Sequence, residues 1–140
     1  IKKFDSLISN EKMLFTKKIE FLYKNSDIIS LNVPLTNDTR DFIDHDVVVN
    51  KLKRCPIIIN TSRGPIVNND AIIYGINNNL IRGYLTDVLD KEPITKDESL
   101  LNLKNVIITP HIASRTFQSV ERQACMAINN LIKMTKANDK

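Results

Sequence analysis

Three side chains in this sequence carry chemistry that one small molecule would need together: Arg63, Glu92 and His111. A guanidinium grips a carboxylate through two parallel hydrogen bonds. An imidazole moves protons near neutral pH, and a carboxylate beside it fixes the ring and favours its charged form. The set suits a 2-oxo or 2-hydroxy acid, with Arg63 on the carboxylate and carbonyl, His111 on the C2 oxygen and Glu92 behind the imidazole. The hydrogen on carbon must leave as hydride. No side chain accepts one, so a cofactor is required. Taken singly, each residue also has an ordinary explanation. Arg63 would be a solvated turn arginine, His111 a hydrogen-bonded turn residue after Thr109-Pro110, Glu92 a loop carboxylate and Asp87 a strand-end cap.

The order of elements is what could bring them together. Ile57-Ile58-Ile59 reads as a short strand covered on both faces. Asn60, Thr61 and Ser62 are too small and polar to continue it, and Gly64-Pro65 forces a turn. Arg63 is thereby held at the strand's carboxyl end. Further strands are predicted over residues 1–5, 27–33, 83–88 and 106–108. Helices are predicted over residues 15–24, over 44–52 with Asp44 as N-cap, after Asn68 or Asn69, and over 116–133. The third has Ile72, Ile73, Ile76 and Leu80 as its apolar stripe; the last has Val120, Ala124, Ala127, Ile128 and Leu131. This alternation argues for right-handed βαβ units and an α/β fold with a doubly wound parallel sheet. Parallel strands share one carboxyl edge, the edge at which open α/β sheets bind ligands. Asp5, Arg63, Asp87 and His111 all fall at or just after strand ends, and Glu92 lies in the loop after Asp87.

The bulk numbers are those of an ordinary globular domain: 140 residues, 42% hydrophobic and 26% charged. The net charge of +4 is scattered among acids, with no basic run interleaved with aromatics, which leaves nucleic-acid binding without support. No apolar stretch approaches membrane-spanning length. Cys55 and Cys125 lack metal-like spacing and read as reduced, packed thiols of a cytoplasmic protein. His45 is assigned to the surface. The chain opens on Ile1 with no charged leader, which reads as the back part of a longer polypeptide.

Three blocks of this sequence resemble the signature blocks of the D-isomer-specific 2-hydroxyacid dehydrogenases. They are Asn60-Thr61-Ser62-Arg63-Gly64, Asp87-Val88-Leu89-Asp90-Lys91-Glu92-Pro93 and Thr109-Pro110-His111-Ile112. The stretch Ser30-Leu31-Asn32-Val33-Pro34-Leu35-Thr36, with Thr39-Arg40, is similar to that family's strand and loop beside the adenosine. The resemblance implies a Rossmann-type fold and hydride transfer between NAD and a small D-2-hydroxy or 2-oxo acid. It implies Arg63 as carboxylate anchor, His111 as acid/base and Glu92 as its partner. On the cofactor it implies Asp5 on the adenosine ribose, Pro34 and Thr39 near the adenosine half, and Thr61, Ser62 and Arg63 at the nicotinamide end. Asp87 would hold the carboxamide, and His111 and Ser114 would flank the ring. An acid at Asp5 favours NAD, since it would repel a 2′-phosphate. Glu92 argues against the family's formate branch, which has Gln there. Family members are usually homodimers, and some relatives are NAD-responsive corepressors, which is the alternative reading.

The departures matter as well. The glycine-rich turn that presents backbone N–H groups to the pyrophosphate is absent, as is the strand before it. The expectation is a partial NAD-binding domain over residues 1–115, then a C-terminal helix and tail over 116–140 that returns toward a substrate domain. The missing central strand is expected between the strand ending at Asp5 and the Ile57 strand, leaving two half-sheets. The fragment is expected to be inactive alone. Thr86, where the family has a small apolar residue, either crowds the site or finds a backbone partner.

Overall fold

The computed structural model describes residues 16–138. The strand expected over residues 1–5, and Asp5 with it, lies outside the described residues. Four strands form one parallel sheet: β1 (Ile28–Leu31), β2 (Ile57–Asn60), β3 (Gly83–Thr86) and β4 (Val106–Ile108), in the spatial order β1-β2-β3-β4. Three α-helices accompany them: α1 (Ile19–Asn25), α2 (Asn69–Asn77) and α3 (Phe117–Asn138). This is the Rossmann-like α/β architecture that the alternation of apolar runs predicts.

The register does the positioning. Leu31 pairs with Asn60, Asn60 with Thr86 and Thr86 with Ile108. All four strands therefore end in one straight row. Whatever follows these residues must emerge along the same edge, with adjacent strands only about 4.8 Å apart.

The core lies on one face. Leu31, Ile58 and Tyr84 pack there with Ile43, Val48, Ile66, Ile72 and Leu100. Along β2 the burial alternates: Ile58 and Asn60 are buried, while Ile57 and Ile59 are only half-buried. The expected cover on both faces is thus not met among the described residues. The opposite face carries Ile28 and Ile107, exposed at 60% and 59%.

Local signals explain the helices. The Asn68 side chain accepts the Ala71 N–H at 3.0 Å and starts α2, as an N-cap should. Asp44 accepts the Val47 N–H at 2.8 Å. The segment after it is wound as a π-helix over Val47–Lys51, a widening that the apolar pattern does not announce.

Three expectations need correction. The Ile57 strand does not border a gap, because β1 and β3 pair with it on either side; the edge strands of the described sheet are β1 and β4. Cys125 is exposed rather than packed, and Cys55 is half-buried with φ of 46°. The α3 face meant for a core is open, with Val120, Ile128 and Leu131 all more than half exposed.

Candidate active site

The turn after β2 is tied down from beneath by Asn60, which is fully buried. Its Nδ2 donates to the Arg63 carbonyl at 2.9 Å, and its Oδ1 accepts the Ser62 N–H at 3.0 Å. Ser62 in turn donates its hydroxyl to the Leu31 carbonyl at 2.8 Å, stitching the turn to the end of β1. Arg63 is exposed. Its Nη1 donates to the Ser62 carbonyl at 2.6 Å, and among the described residues no carboxylate lies within ion-pair distance of it. The guanidinium is left with donors for an external anion.

Asp87 follows β3 directly and is buried. Its Oδ1 accepts the Thr109 hydroxyl at 2.5 Å and the Ile112 N–H at 2.9 Å, while Oδ2 accepts the Ala113 N–H at 2.8 Å. One carboxylate thus pins the loop beyond β4 at three points on either side of His111. Burial pushes this carboxyl up. The Thr109 hydroxyl, the two N–H groups and the nearby His111 outweigh it and hold the group below its ordinary value. A depressed carboxyl contributes stability that is complete above the ordinary value near 3.8 and is lost as pH falls through the folded value. Asp87→Asn should therefore flatten the acid limb of stability against pH. It should also cost about 1–3 kcal/mol at neutral pH, since its amide turns a donor toward an N–H. Urea unfolding midpoints measured from pH 7 down to the acid transition check both.

Glu92 and His111 meet. Glu92 Oε2 lies 2.7 Å from His111 Nδ1, and Oε1 accepts the Leu89 N–H at 2.9 Å. The hydrogen bond to His111, then that from Leu89, holds the Glu92 carboxyl below its usual range. With Nδ1 on Glu92, Nε2 is the nitrogen without a partner among the described residues. His111 has φ of 53°, the left-handed region, and its N–H reaches back to the Thr109 carbonyl at 3.0 Å. That local curl turns the imidazole toward Glu92.

Two clefts open along the row of strand ends. One, of about 390 Å³, is lined by Asp87, Glu92 and His111 with apolar walls that include Leu89, Ile94 and Ile108. The other lies over the ends of β1 and β2 and is lined by residues 32–35 with Ser62 and Arg63. So Glu92, His111 and Asp87 come together, and Arg63, Ser62 and Pro34 share the neighbouring cleft two strands away. Thr39 lines neither cleft; its hydroxyl donates to the Pro34 carbonyl at 2.6 Å and accepts the Thr36 N–H at 2.8 Å, bracing the loop. Thr61 and Ser114 are exposed and line neither. Thr86 does not crowd the site: it is buried, with its hydroxyl 2.6 Å from the Val88 carbonyl and 3.2 Å from the Val88 N–H.

Sequence reasoning passed over three contributors. Asn60 and Thr109 were visible as members of signature blocks, one closing an apolar strand and the other before a proline, but neither carried a role of its own. The Leu89 N–H left no signal, because every residue but proline has one.

Comparison with known proteins gives these geometries a context. Residues 4–113 match the family model described as D-isomer specific 2-hydroxyacid dehydrogenase, NAD binding domain. A glyoxylate reductase of Thermofilum pendens is 36% identical over 84% of this chain and 34% of its own length. A glyoxylate/hydroxypyruvate reductase B of Cronobacter sakazakii is 36% identical over 81% of this chain and 35% of its own. The chain thus spans about a third of the length of the curated relatives it matches. Among solved structures, a D-isomer specific 2-hydroxyacid dehydrogenase of Xanthobacter autotrophicus, in complex with NADPH and MES, superposes with a TM-score of 0.71 at 29% identity, covering 85% of this chain and 48% of that one. An NAD-complexed enzyme of the same description from Lactobacillus delbrueckii gives 0.71 at 25% identity, over 86% and 40%.

Proposed function

Because this chain belongs to the D-isomer-specific 2-hydroxyacid dehydrogenases, we propose that its parent protein transfers a hydride between NAD(H) and a small D-2-hydroxy or 2-oxo acid. Glyoxylate and hydroxypyruvate are the first substrates to test. The observation that carries the reading is the 2.7 Å contact between His111 Nδ1 and Glu92 Oε2, on the same sheet edge as Arg63. A carboxylate on Nδ1 fixes the tautomer and leaves Nε2 to exchange a proton with the C2 oxygen. The imidazolium formed when Nε2 takes that proton is stabilised by Glu92, which stays ionised because the Leu89 N–H and His111 both favour its charge. Arg63 grips the substrate carboxylate and draws electron density from the carbonyl.

The open cleft over the ends of β1 and β2 fits a dinucleotide by position, since it lies outside the carboxyl ends of parallel strands. Ser62, Pro34 and the Thr39-braced loop would line it. Asp87 has acceptor capacity left on Oδ2 for the carboxamide. NAD, when bound, supplies the hydride acceptor or donor.

The test is NADH consumption by the parent protein with glyoxylate and with hydroxypyruvate. Turnover with either supports the reading; none with both overturns it. The 140-residue chain alone should show no turnover. Its three glycines, Gly64, Gly75 and Gly83, form no Gly-x-Gly-x-x-Gly to receive a pyrophosphate. A homodimer belongs to the same reading, supported by the apolar surface left open on α3. A sedimenting mass of one subunit for the parent protein would remove it.

A further inference from the structure

We infer that Gly64 is a positioning residue for the Glu92–His111 pair, because its bare α-carbon lets the Arg63 turn pack directly on the Leu89–Asp90 peptide. The inference rests on the acid/base reading of that pair. A β-carbon built on Gly64 would overlap the carbonyl carbon and oxygen of Leu89 and the nitrogen of Asp90. All three are backbone atoms, so no rotamer change relieves the clash. Carbon atoms settle at about 3.5–4.0 Å, so one of the two segments would have to retreat by roughly 1 Å.

The two segments are the ones that matter. Arg63 adjoins Gly64 in the chain. Leu89 gives its N–H to Glu92 Oε1 at 2.9 Å, and Glu92 Oε2 meets His111 Nδ1 at 2.7 Å. Contact therefore runs without a gap from the arginine turn through Gly64, the Leu89 peptide and Glu92 to the imidazole. The arginine turn cannot yield freely, since the buried Asn60 holds it from below. The displaced part is then the Leu89–Asp90 peptide, which is joined through the Leu89 α-carbon to the N–H that orients Glu92. The other tight glycine works differently: the nearest atoms to a β-carbon on Gly75 are side-chain atoms of Ile81 and Val48, at 2.7 and 2.8 Å, in the core away from this edge.

Gly64→Ala and Gly75→Ala in the parent protein separate positioning from mere stability. Both should lower the unfolding midpoint. Only Gly64→Ala should move the titration of the Glu92 carboxyl, read by carbon NMR and assigned with Glu92→Gln, up toward the ordinary glutamate value. Of the groups facing that carboxyl, only the Leu89 N–H is displaced; His111 and Asp87 keep their side chains. Only Gly64→Ala should lower kcat/KM by about 100-fold, the effect of a 1 Å misplacement. A Glu92 titration that Gly64→Ala leaves in place overturns the proposal, as does an equal shift in Gly75→Ala. Should Gly64→Ala not fold, the native protein decides: a nuclear Overhauser contact between the Gly64 α-protons and the Asp90 N–H is required, and its absence is fatal. Neither NMR readout uses substrate or NAD. Failure of the dehydrogenase reaction would leave them intact, and so the two claims fall separately.

Discussion

His111→Asn should lower turnover by about 10²- to 10⁴-fold while leaving the unfolding free energy within about 1 kcal/mol of the parent. The first half follows from the role proposed for His111, exchange of a proton with the C2 oxygen. Asn keeps a polar side chain of similar reach but has no nitrogen that titrates near neutrality. The second half follows from the backbone. His111 sits at φ of 53°, a region that costs most residues about 1–2 kcal/mol and that Asn occupies readily. The lost contact is a half-exposed pair with Glu92, of a class worth about 0–1 kcal/mol. Loss and relief nearly cancel. The checks are kcat at saturating oxo acid and a urea midpoint on the same preparation. Turnover within tenfold of the parent would remove His111 from the chemistry. A collapse of stability would mean that the curl at His111 is held by its imidazole rather than by Asp87.

The second large effect is on binding. Arg63→Ala should reduce kcat/KM by roughly 10- to 150-fold, the equivalent of the 1.5–3 kcal/mol of a charge-assisted hydrogen bond. Arg63→Lys should restore only part of it, since an ammonium cannot match a carboxylate with two parallel donors. Stability should move by no more than about 0.5 kcal/mol, because among the described residues the exposed guanidinium hydrogen-bonds only to the carbonyl of its neighbour Ser62. Steady-state kinetics on the three proteins at one ionic strength make the comparison. A loss under threefold for Arg63→Ala would take the substrate carboxylate away from Arg63.

The fold was legible because its signals are local. Ile57-Ile58-Ile59 breaking into Asn60, and Val106-Ile107-Ile108 breaking into Thr109, mark where each strand stops. Equal stopping points are what parallel pairing then lines up into one edge. The caps at Asp44 and Asn68 were legible for the same reason. The contact between Glu92 and His111 spans 19 residues of chain and depends on how the loops after β3 and β4 fold back. Composition and period carry no such information; the chemistry of a 2-oxo acid suggested the pairing and the family resemblance implied it. The left-handed backbone at Cys55 is equally silent, since cysteine does not favour it. The apolar stripe of α3 shows the limit of periodicity. A repeat of 3.6 residues says which residues share a face, but what covers that face is decided elsewhere.

The acidic groups of the site hang on the main chain. Asp87 is held by the amides of Ile112 and Ala113, and Glu92 by that of Leu89. An amide is indifferent to the side chain attached to it, so the two exposed positions, 112 and 113, are free to drift in size and polarity as long as the loop keeps its path. Proline alone withdraws the donor. A substitution scan along both loops should thus find the exposed residues 112 and 113 permissive to nearly everything and closed to a single amino acid, while the buried Leu89 also demands an apolar side chain.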